Sequence, residues 1–388
     1  MVRQAHDPME RALALASFGR GRTAPNPPVG AVVVRDGRIV GEGYHAAAGT
    51  AHAETIALDA AGPLARSATL YVTLEPCCHH GRTPPCTDAV IAAGVAEVRY
   101  AIGDPDPRVA GGGHRALAGA GIRVTGGESA EAAGEILRGY LLRRRLGRPW
   151  VTAKFAMSLD GKTATRMGDA RWISGEASLA HGHALRDRSD AVIVGIGTVL
   201  ADDPRLTVRP APADGHQPDR IVVDTRLRMP LDAALAGPDL ASGTTIAFGA
   251  SEAGVGRPPS RSADLARAAA ALENRGLTLL DLPLDRSGHV DLRALLAALG
   301  ERGCNEVLVE GGGQLLAGFL KLGLVDEIEA CVAPIVIGGR GASSPVGGIG
   351  VELIARAGRF EFVDVLRRES DVWIVARPSG APMEVTDV

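Results

Sequence analysis

Aromatic residues make up only 3% of the 388-residue chain. Three Trp, four Tyr and six Phe are too few to build the stacking platforms on which single-stranded nucleic acids lie. Charge of one sign is also missing. The chain carries 42 Lys and Arg against 45 Asp and Glu, a net charge of -3, so no strong field draws a polyanion. The expected partner is a small molecule, with no nucleic acid and no membrane. Cysteine is sparse and odd in number, five in all, which argues against a disulfide framework and fits a reducing, cytoplasmic setting. Cys304 and Cys331 read as ordinary buried thiols. No uncharged apolar run approaches the ~18 residues of a membrane span. The apolar stretch at residues 12–18 follows Glu10-Arg11 and precedes Gly19-Arg20-Gly21-Arg22, which suits an amphipathic first helix rather than a signal peptide.

What the chain has in quantity is glycine and proline, 50 and 24 residues, and these punctuate a regular alternation of strand-like and helix-like segments. Its length allows two or three domains, each with its own core. In the first part, residues 30–34 and 38–43 flank Asp36-Gly37 and read as a hairpin. A helix at 52–61, a strand at 69–74, a helix at 87–93 and a strand at 97–102 follow, the pattern of a three-layer α/β domain. A long helix at 130–146 ends in Arg143-Arg144-Arg145, most simply a solvated helix end, and Gly147-Arg148-Pro149 stops it. The expected boundary lies there, giving domains 1–147 and 148–388. The second part reads as another α/β series, with strands at 150–155, 191–194, 220–223, 244–248, 277–281, 306–309 and 327–337, and surface loops at 210–218 and 249–261.

Chemistry concentrates in two short segments, Ala51-His52-Ala53-Glu54 and Pro76-Cys77-Cys78-His79-His80-Gly81-Arg82-Thr83-Pro84-Pro85-Cys86. His52, Cys77 and Cys86 supply one imidazole and two thiolates, three zinc ligands that leave a fourth tetrahedral corner open to water, as in catalytic sites. Zinc lowers the pKa of its water from about 15.7 toward about 7, and Glu54 is placed to shuttle protons to a leaving amine. The order His-x-Glu, Pro-Cys, Cys is that of the zinc nucleobase deaminases, except that eight residues rather than two separate the cysteines. Cys78, His79 and His80 are competing ligands by type, but Pro76 favours Cys77 and leaves Cys78 to packing. Cys86 at the start of a helix gains thiolate character from the helix dipole. Residues two apart on a regular helix face different ways, so His52 has to sit at the very start of its helix.

A second centre lies in the other half. The strand 306–309 runs through Glu310 into Gly311-Gly312-Gly313 and an apolar helix, which reads either as a phosphate-binding turn or as a tight strand-to-helix connection. Lys154 sits on the first strand, and Arg186 and Arg209 flank the segment 195–207. These arginines suit a substrate phosphate, and equally suit a solvated face.

Taken together, Ala24-Pro25-Asn26-Pro27-Pro28-Val29-Gly30, Gly43-Tyr44-His45, the eight-residue cysteine spacing, Ser158-Leu159-Asp160-Gly161, the segment 198–204 and Glu310-Gly311-Gly312-Gly313 resemble the bifunctional riboflavin-biosynthesis deaminase/reductase family over nearly the whole chain. The resemblance implies a cytidine-deaminase-like N-terminal domain and a dihydrofolate-reductase-like C-terminal domain. It implies removal of an amino group from a diaminopyrimidinone bearing a phosphoribosylamino chain, then reduction of the ribosyl group to ribityl. Implied cofactors are one Zn2+ per chain and NADPH, and a homo-oligomer is implied as well. Carried over by motif, Ala156, Trp172, Thr198, Asp202, Gly312, Gly313, Gln314, Leu315, Leu316, Ala317 and Gly318 match nucleotide-contacting positions. Arg186, Leu206, Arg209 and Glu310 match substrate-contacting positions in the reductase half, and Asn26 one in the deaminase half. Lys154 and Asp202 are the candidates for proton transfer in reduction, with a structural ion pair as the other reading. A nucleic-acid deaminase of the tRNA type with an accessory domain is the rival function, and the charge balance and the few aromatics count against it.

Overall fold

The computed structural model describes residues 7–81, 84–249 and 259–380. It divides into two compact units, Met1–Pro149 with Gly300–Asn305, and Trp150–Leu299 with Glu306–Val388. A single break after residue 147 does not foresee the return of Gly300–Asn305 to the first unit, because membership there is a matter of long-range packing.

The first unit runs α1 (Pro8–Ser17), β1 (Gly30–Arg35), β2 (Arg38–Tyr44), α2 (Ala53–Ala61), β3 (Thr69–Leu74), α3 (Cys86–Ala93), β4 (Glu97–Ile102), α4 (Gly112–Gly119), β5 (Arg123–Gly126) and α5 (Ala130–Leu146). Helix α1 starts where Asp7 caps it, the carboxylate accepting from the amides of Met9 at 2.9 Å and Glu10 at 3.1 Å. Pro8 follows at a position where a missing N–H costs nothing. The β1–β2 hairpin turns because Asp36 and Gly37 both take left-handed backbone angles, φ 50° and 71°, which a two-residue turn between twisted strands requires.

The sheet order is β2-β1-β3-β4-β5, with β1 antiparallel to both neighbours and β3, β4 and β5 mutually parallel. Glycines let helices close on both faces. A Cβ on Gly30 would stand 2.0 Å from the Ala12 carbonyl oxygen of α1, and one on Gly41 2.1 Å from that of Ala57 in α2. Gly41 pairs with Val33, three positions along β1 from Gly30, and side chains alternate faces along a strand. Helices α1 and α2 therefore lie on opposite sides of the sheet. Helix α5 packs with α1, and α3 with α2, completing a three-layer α/β/α unit. Its core includes Val32, Leu70, Val72, Val98, Leu117 and Leu137, all fully buried.

The second unit runs β6 (Trp150–Ser158), α6 (Glu176–Asp187), β7 (Ala191–Gly195), α7 (Ile196–Asp202), β8 (Asp219–Val223), β9 (Thr244–Phe248), α8 (Pro259–Glu273), β10 (Thr278–Asp281), α9 (Leu292–Glu301, its last residues counted with the first unit), β11 (Glu306–Glu310), α10 (Gly313–Lys321), β12 (Glu327–Ala333), β13 (Phe360–Arg368) and β14 (Asp371–Pro378). Its sheet is ordered β10-β9-β8-β7-β11-β6-β12-β14-β13, parallel from β10 to β12 and antiparallel at the β12–β14 and β14–β13 pairs.

The strand expected over 327–337 stops at Ala333, since Pro334 has no N–H to extend the ladder. The loop at 210–218 is irregular as expected, while of the loop placed at 249–261 residues 250–258 lie outside the described residues and Pro259 already begins α8. Strands β13 and β14 were not expected. The second core gathers Val192, Ile246, Leu308 and the fully buried Trp373 of β14, whose ring nitrogen donates to Ser178 Oγ at 2.8 Å. Among the described residues, no helix is long and apolar enough to cross a membrane.

Candidate active sites

In the first unit the backbone settles how His52 and Glu54 share a site. His52 is the N-cap of α2, extended at φ -75° and ψ 158°, so it leaves the helix direction that Glu54 follows in the first turn. Cys86 opens α3 directly after Pro85, and its amide donates to Cys77 Sγ at 3.3 Å. His52 Nδ1 lies 3.1 Å from Cys86 Sγ and 3.6 Å from Cys77 Sγ. Among the described residues these three form a metal-competent group, with ligand atoms within 4.8 Å of one another. One nitrogen and two sulfurs converging on a point fit tetrahedral zinc with one corner free.

The sulfurs share their protons unequally. A hydrogen bond from Cys86 pushes the Cys77 thiol down despite burial, and the same bond pushes Cys86 up. Glu54, 4% exposed, is pushed up to about 7 by burial and then by the neighbouring Cys77 sulfur. Cys78 stays out of the group, with its thiol against the Arg108 carbonyl at 3.6 Å. His79 is also outside it, and its buried Nδ1 has no hydrogen-bond partner among the described residues. Arg82 and Thr83 lie outside the described residues.

Asn26 is oriented by logic that holds whichever way its amide is drawn. The carbonyl oxygen of Ala51 can only accept, so His45 Nδ1, 3.1 Å away, carries a proton. Burial pushes the His45 pKa down and keeps the ring neutral, which makes Nε2 an acceptor. The group 3.0 Å from it is then the Asn26 NH2, and Asn26 Oδ1 is left to accept from another donor.

Asn26, His45, His52, Glu54, Cys77 and His79 line a cleft of about 490 Å³ together with Glu75, Asp104, Asp106, Arg108, Tyr140, Arg143 and Arg144. Glu75 accepts from the amides of Asp104, Gly111 and His114 at 3.4, 3.0 and 3.0 Å and so drapes the loop before α4 over the Pro76-Cys77 turn. Asp106, paired with Arg108 at 2.6 Å and Arg144 at 2.8 Å, is held down at about 2, chiefly by Arg108. Of the basic run read as a solvated helix end, Arg143 and Arg144 instead line the cleft, and only Arg145 is exposed. Sequence reasoning missed Glu75, Asp104 and Asp106. Glu75 had one local signal, a carboxylate next to the Pro-Cys ligand turn, and the other two had none.

In the second unit a cleft of about 600 Å³ opens over the carboxyl ends of β6, β7 and β11, where ligands sit in open parallel sheets. Lys154, Ala156, Trp172, Thr198, Asp202, Leu206, Arg186, Glu310, Gly312, Gly313, Gln314, Leu315 and Leu316 all line it. Ala317, Gly318 and Arg209 do not. Gly318 faces Leu292 and Ala317 faces Gly348, while Arg209 uses its amide toward His183 Nδ1 at 3.2 Å. Gly311 and Gly312 take φ 70° and 77°, and a Cβ on Gly312 would stand 3.1 Å from Thr198 Oγ1. The turn thus needs glycine for both its backbone angles and its space.

The fork of Arg186, which by sequence suited a phosphate or a solvated face, is spent on Glu310 through two bonds of 2.7 Å, and its third nitrogen donates to the Thr207 carbonyl at 2.9 Å. Burial pushes Glu310 up, but Arg186 outweighs it, with help from Lys154 and His183, and holds the carboxyl below its usual range. Asp160 of the Ser158-Leu159-Asp160-Gly161 motif has a structural task, accepting from the amides of Ile337 and Gly338 at 3.0 and 2.7 Å. Ser343, Ser344 and Pro345 also line the cleft, from a segment without any sequence signal.

A hydrolytic His-Cys-Cys centre in one unit and a nucleotide-sized cleft over parallel strand ends in the other describe a two-site enzyme, a deaminase joined to a reductase. Comparison with known proteins gives the family. The profile described as cytidine and deoxycytidylate deaminase zinc-binding region matches residues 2–102, and that of the RibD C-terminal domain matches residues 149–374. Riboflavin biosynthesis protein RibD of Bacillus amyloliquefaciens is 40% identical over 95% of both chains, and that of Escherichia coli is 40% identical over 94% of this chain and 96% of its own. The structure of Acinetobacter baumannii RibD superposes with a TM-score of 0.83 at 36% identity, covering 96% of this chain and 98% of the other. A Thermotoga maritima diaminohydroxyphosphoribosylaminopyrimidine deaminase/5-amino-6-(5-phosphoribosylamino)uracil reductase does so at 0.80 and 33%, covering 96% and 97%. The chain belongs to the RibD family, the bifunctional deaminase/reductases of riboflavin biosynthesis. The two profile matches imply zinc in the first unit and a nicotinamide cofactor in the second.

Proposed function

We propose that the first unit deaminates the diaminohydroxyphosphoribosylaminopyrimidine to 5-amino-6-(5-phosphoribosylamino)uracil, releasing ammonia, and that the second then reduces the ribosyl group of that product to ribityl with NADPH. The substrates are those after which the Thermotoga maritima relative is named. The carrying observation is the convergence of His52 Nδ1, Cys77 Sγ and Cys86 Sγ within 4.8 Å, with the buried Glu54 beside them.

His52, Cys77 and Cys86 would hold one zinc per chain, which when bound would supply a Lewis acid that brings the pKa of water toward about 7. Glu54, buried beside the three ligands, would take a proton from water and return it to the departing amine. Asn26 offers its Oδ1 to an N–H of the pyrimidine, since its NH2 is committed to His45. The second cleft would hold NADPH, which when bound would be the hydride donor for reduction at the first carbon of the opened ribose. Thr198, Trp172, Ala156 and the residues from Gly312 to Leu316 that line the cleft hold the nucleotide. Arg186, Leu206 and Glu310 face the substrate, and Lys154 and Asp202 handle the protons. We also expect a homo-oligomer in the cytoplasm, a reading supported by the exposed apolar side chains of edge strand β13, Phe362, Val363 and Val365. Unpaired strand edges invite association.

Two variants test the assignment. Glu54→Ala should cut ammonia release at least ~100-fold, the lower end for a lost acid-base group, while NADPH oxidation on the deaminated intermediate continues. Asp202→Asn should do the reverse. Parallel loss of both activities in either variant would contradict two independent sites.

A further inference from the structure

The loop that carries Asn26 is held by a residue far outside the zinc-binding region. Asn305 is 6% exposed and belongs to the first unit through the segment Gly300–Asn305. Its Nδ2 donates to the backbone oxygen of Asn26 at 3.0 Å, and its Oδ1 accepts from Arg143 Nε at 2.7 Å. Arg143 in turn donates through Nη2 to the carbonyl oxygen of Pro25 at 2.6 Å. The same segment presses on the same loop, since a Cβ on Gly303 would stand 2.8 Å from that of Pro25. Two adjacent carbonyls, those of Pro25 and Asn26, are thus clamped by one amide and one guanidinium, while the Asn26 side chain is turned by His45.

We propose that Asn305 is a positioning residue of the deaminase, acting through Asn26 to hold the amide that reads the pyrimidine. A clamp on the main chain fixes where Oδ1 points, and an ångström of drift in a substrate-orienting group is costly. The proposal rests on the reading of Asn26 as a substrate contact. It places a determinant of ammonia release beyond residue 102, where the zinc-region match ends.

The test uses the full-length, zinc-loaded chain. Asn305→Asp keeps the size and the acceptor for Arg143 but turns the donor facing the Asn26 oxygen into a second acceptor, so the fold is preserved while the clamp is lost. The KM for ammonia release should rise about tenfold, with kcat changed less than about threefold, as for loss of ground-state binding. Zinc content and NADPH oxidation on the deaminated intermediate should stay at wild-type values. Asn26→Ala should raise KM at least as far, and Asn26→Ala with Asn305→Asp should be no worse than Asn26→Ala alone, because residues acting through one another are not additive. Wild-type KM in Asn305→Asp beside an impaired Asn26→Ala would overturn the role of Asn305. So would effects that multiply in the double variant, or a loss of zinc in Asn305→Asp. Wild-type kinetics in Asn26→Ala itself would instead remove the reading of Asn26, and this proposal with it.

Discussion

Replacing Arg186 with Gln should unfold the second unit far more readily than any exposed ion-pair deletion, and the structure sets the size of the effect. The Arg186 and Glu310 side chains are 16% and 11% exposed, and their closest atoms are 2.7 Å apart. Two unit charges with centres near 4 Å attract by about 4 kcal/mol at an effective dielectric of 20. Removing one partner of a buried pair typically costs about 3–5 kcal/mol, because the other charge is left unpaired. At about 2–4 °C per kcal/mol for a unit of this size, the transition should fall by about 6–20 °C.

All three Trp, Trp150, Trp172 and Trp373, lie in this unit, so tryptophan emission during heating follows it alone. The pH response should change sign as well. In the wild type Glu310 sits below its usual range, so its contribution is present above the unfolded pKa of about 4.3 and is lost only as pH falls through the lower folded value. Without Arg186, burial raises the folded pKa, and stability should instead fall as pH rises from about 4.3. The double replacement Arg186→Met with Glu310→Met should recover most of the lost stability, since buried pairs exchange for apolar residues at little cost. Arg11→Met is the contrast. It breaks a bond of the same 2.7 Å length to Glu42, but at 34% and 32% exposure it should cost less than ~1 kcal/mol. A single Arg186 variant melting within ~1 kcal/mol of wild type, with an unchanged pH profile, would refute the reasoning.

Two further outcomes test the first unit, where far-UV circular dichroism changes without a matching change in tryptophan emission. Gly30→Ala should destabilise it by at least ~2 kcal/mol, because the added Cβ would stand 2.0 Å from the Ala12 carbonyl oxygen and α1 would have to lift from the sheet. Asp106, held at about 2, contributes stability that is present above about 3.9 and lost as pH falls through about 2. Asp106→Asn should therefore flatten the acid limb of unfolding of this unit, and an unaltered acid limb would count against the pairing with Arg108 and Arg144.

Local chemistry accounts for what was readable before the structure. Strands β3, β4 and β9 and helix α5 fall on the expected residues because Gly and Pro bound them and their apolar patterns are clean. The ligand group was legible because imidazole and thiolate seldom meet at such spacing without a metal. Long-range geometry was not legible. Nothing near residue 186 says that its fork closes on Glu310, and nothing near residue 305 says that it reaches Asn26. Strand β13 escaped notice because Glu361, Asp364, Arg367 and Arg368 interrupt its apolar residues. Ala317 and Gly318 came with the motif run from Gly312, and among its members they face Gly348 and Leu292 rather than line the cleft.

Between Cys77 and Cys86, His79 and Gly81 border the cleft. Lengthening that interval from the two residues of the general pattern to eight costs only about 1.2 kcal/mol of chain closure, two doublings at about 0.6 kcal/mol each. Diversification in such enzymes thus has a cheap route. The rim that meets a new ligand can be rewritten by insertion or deletion while the residues that grip the ion keep their places.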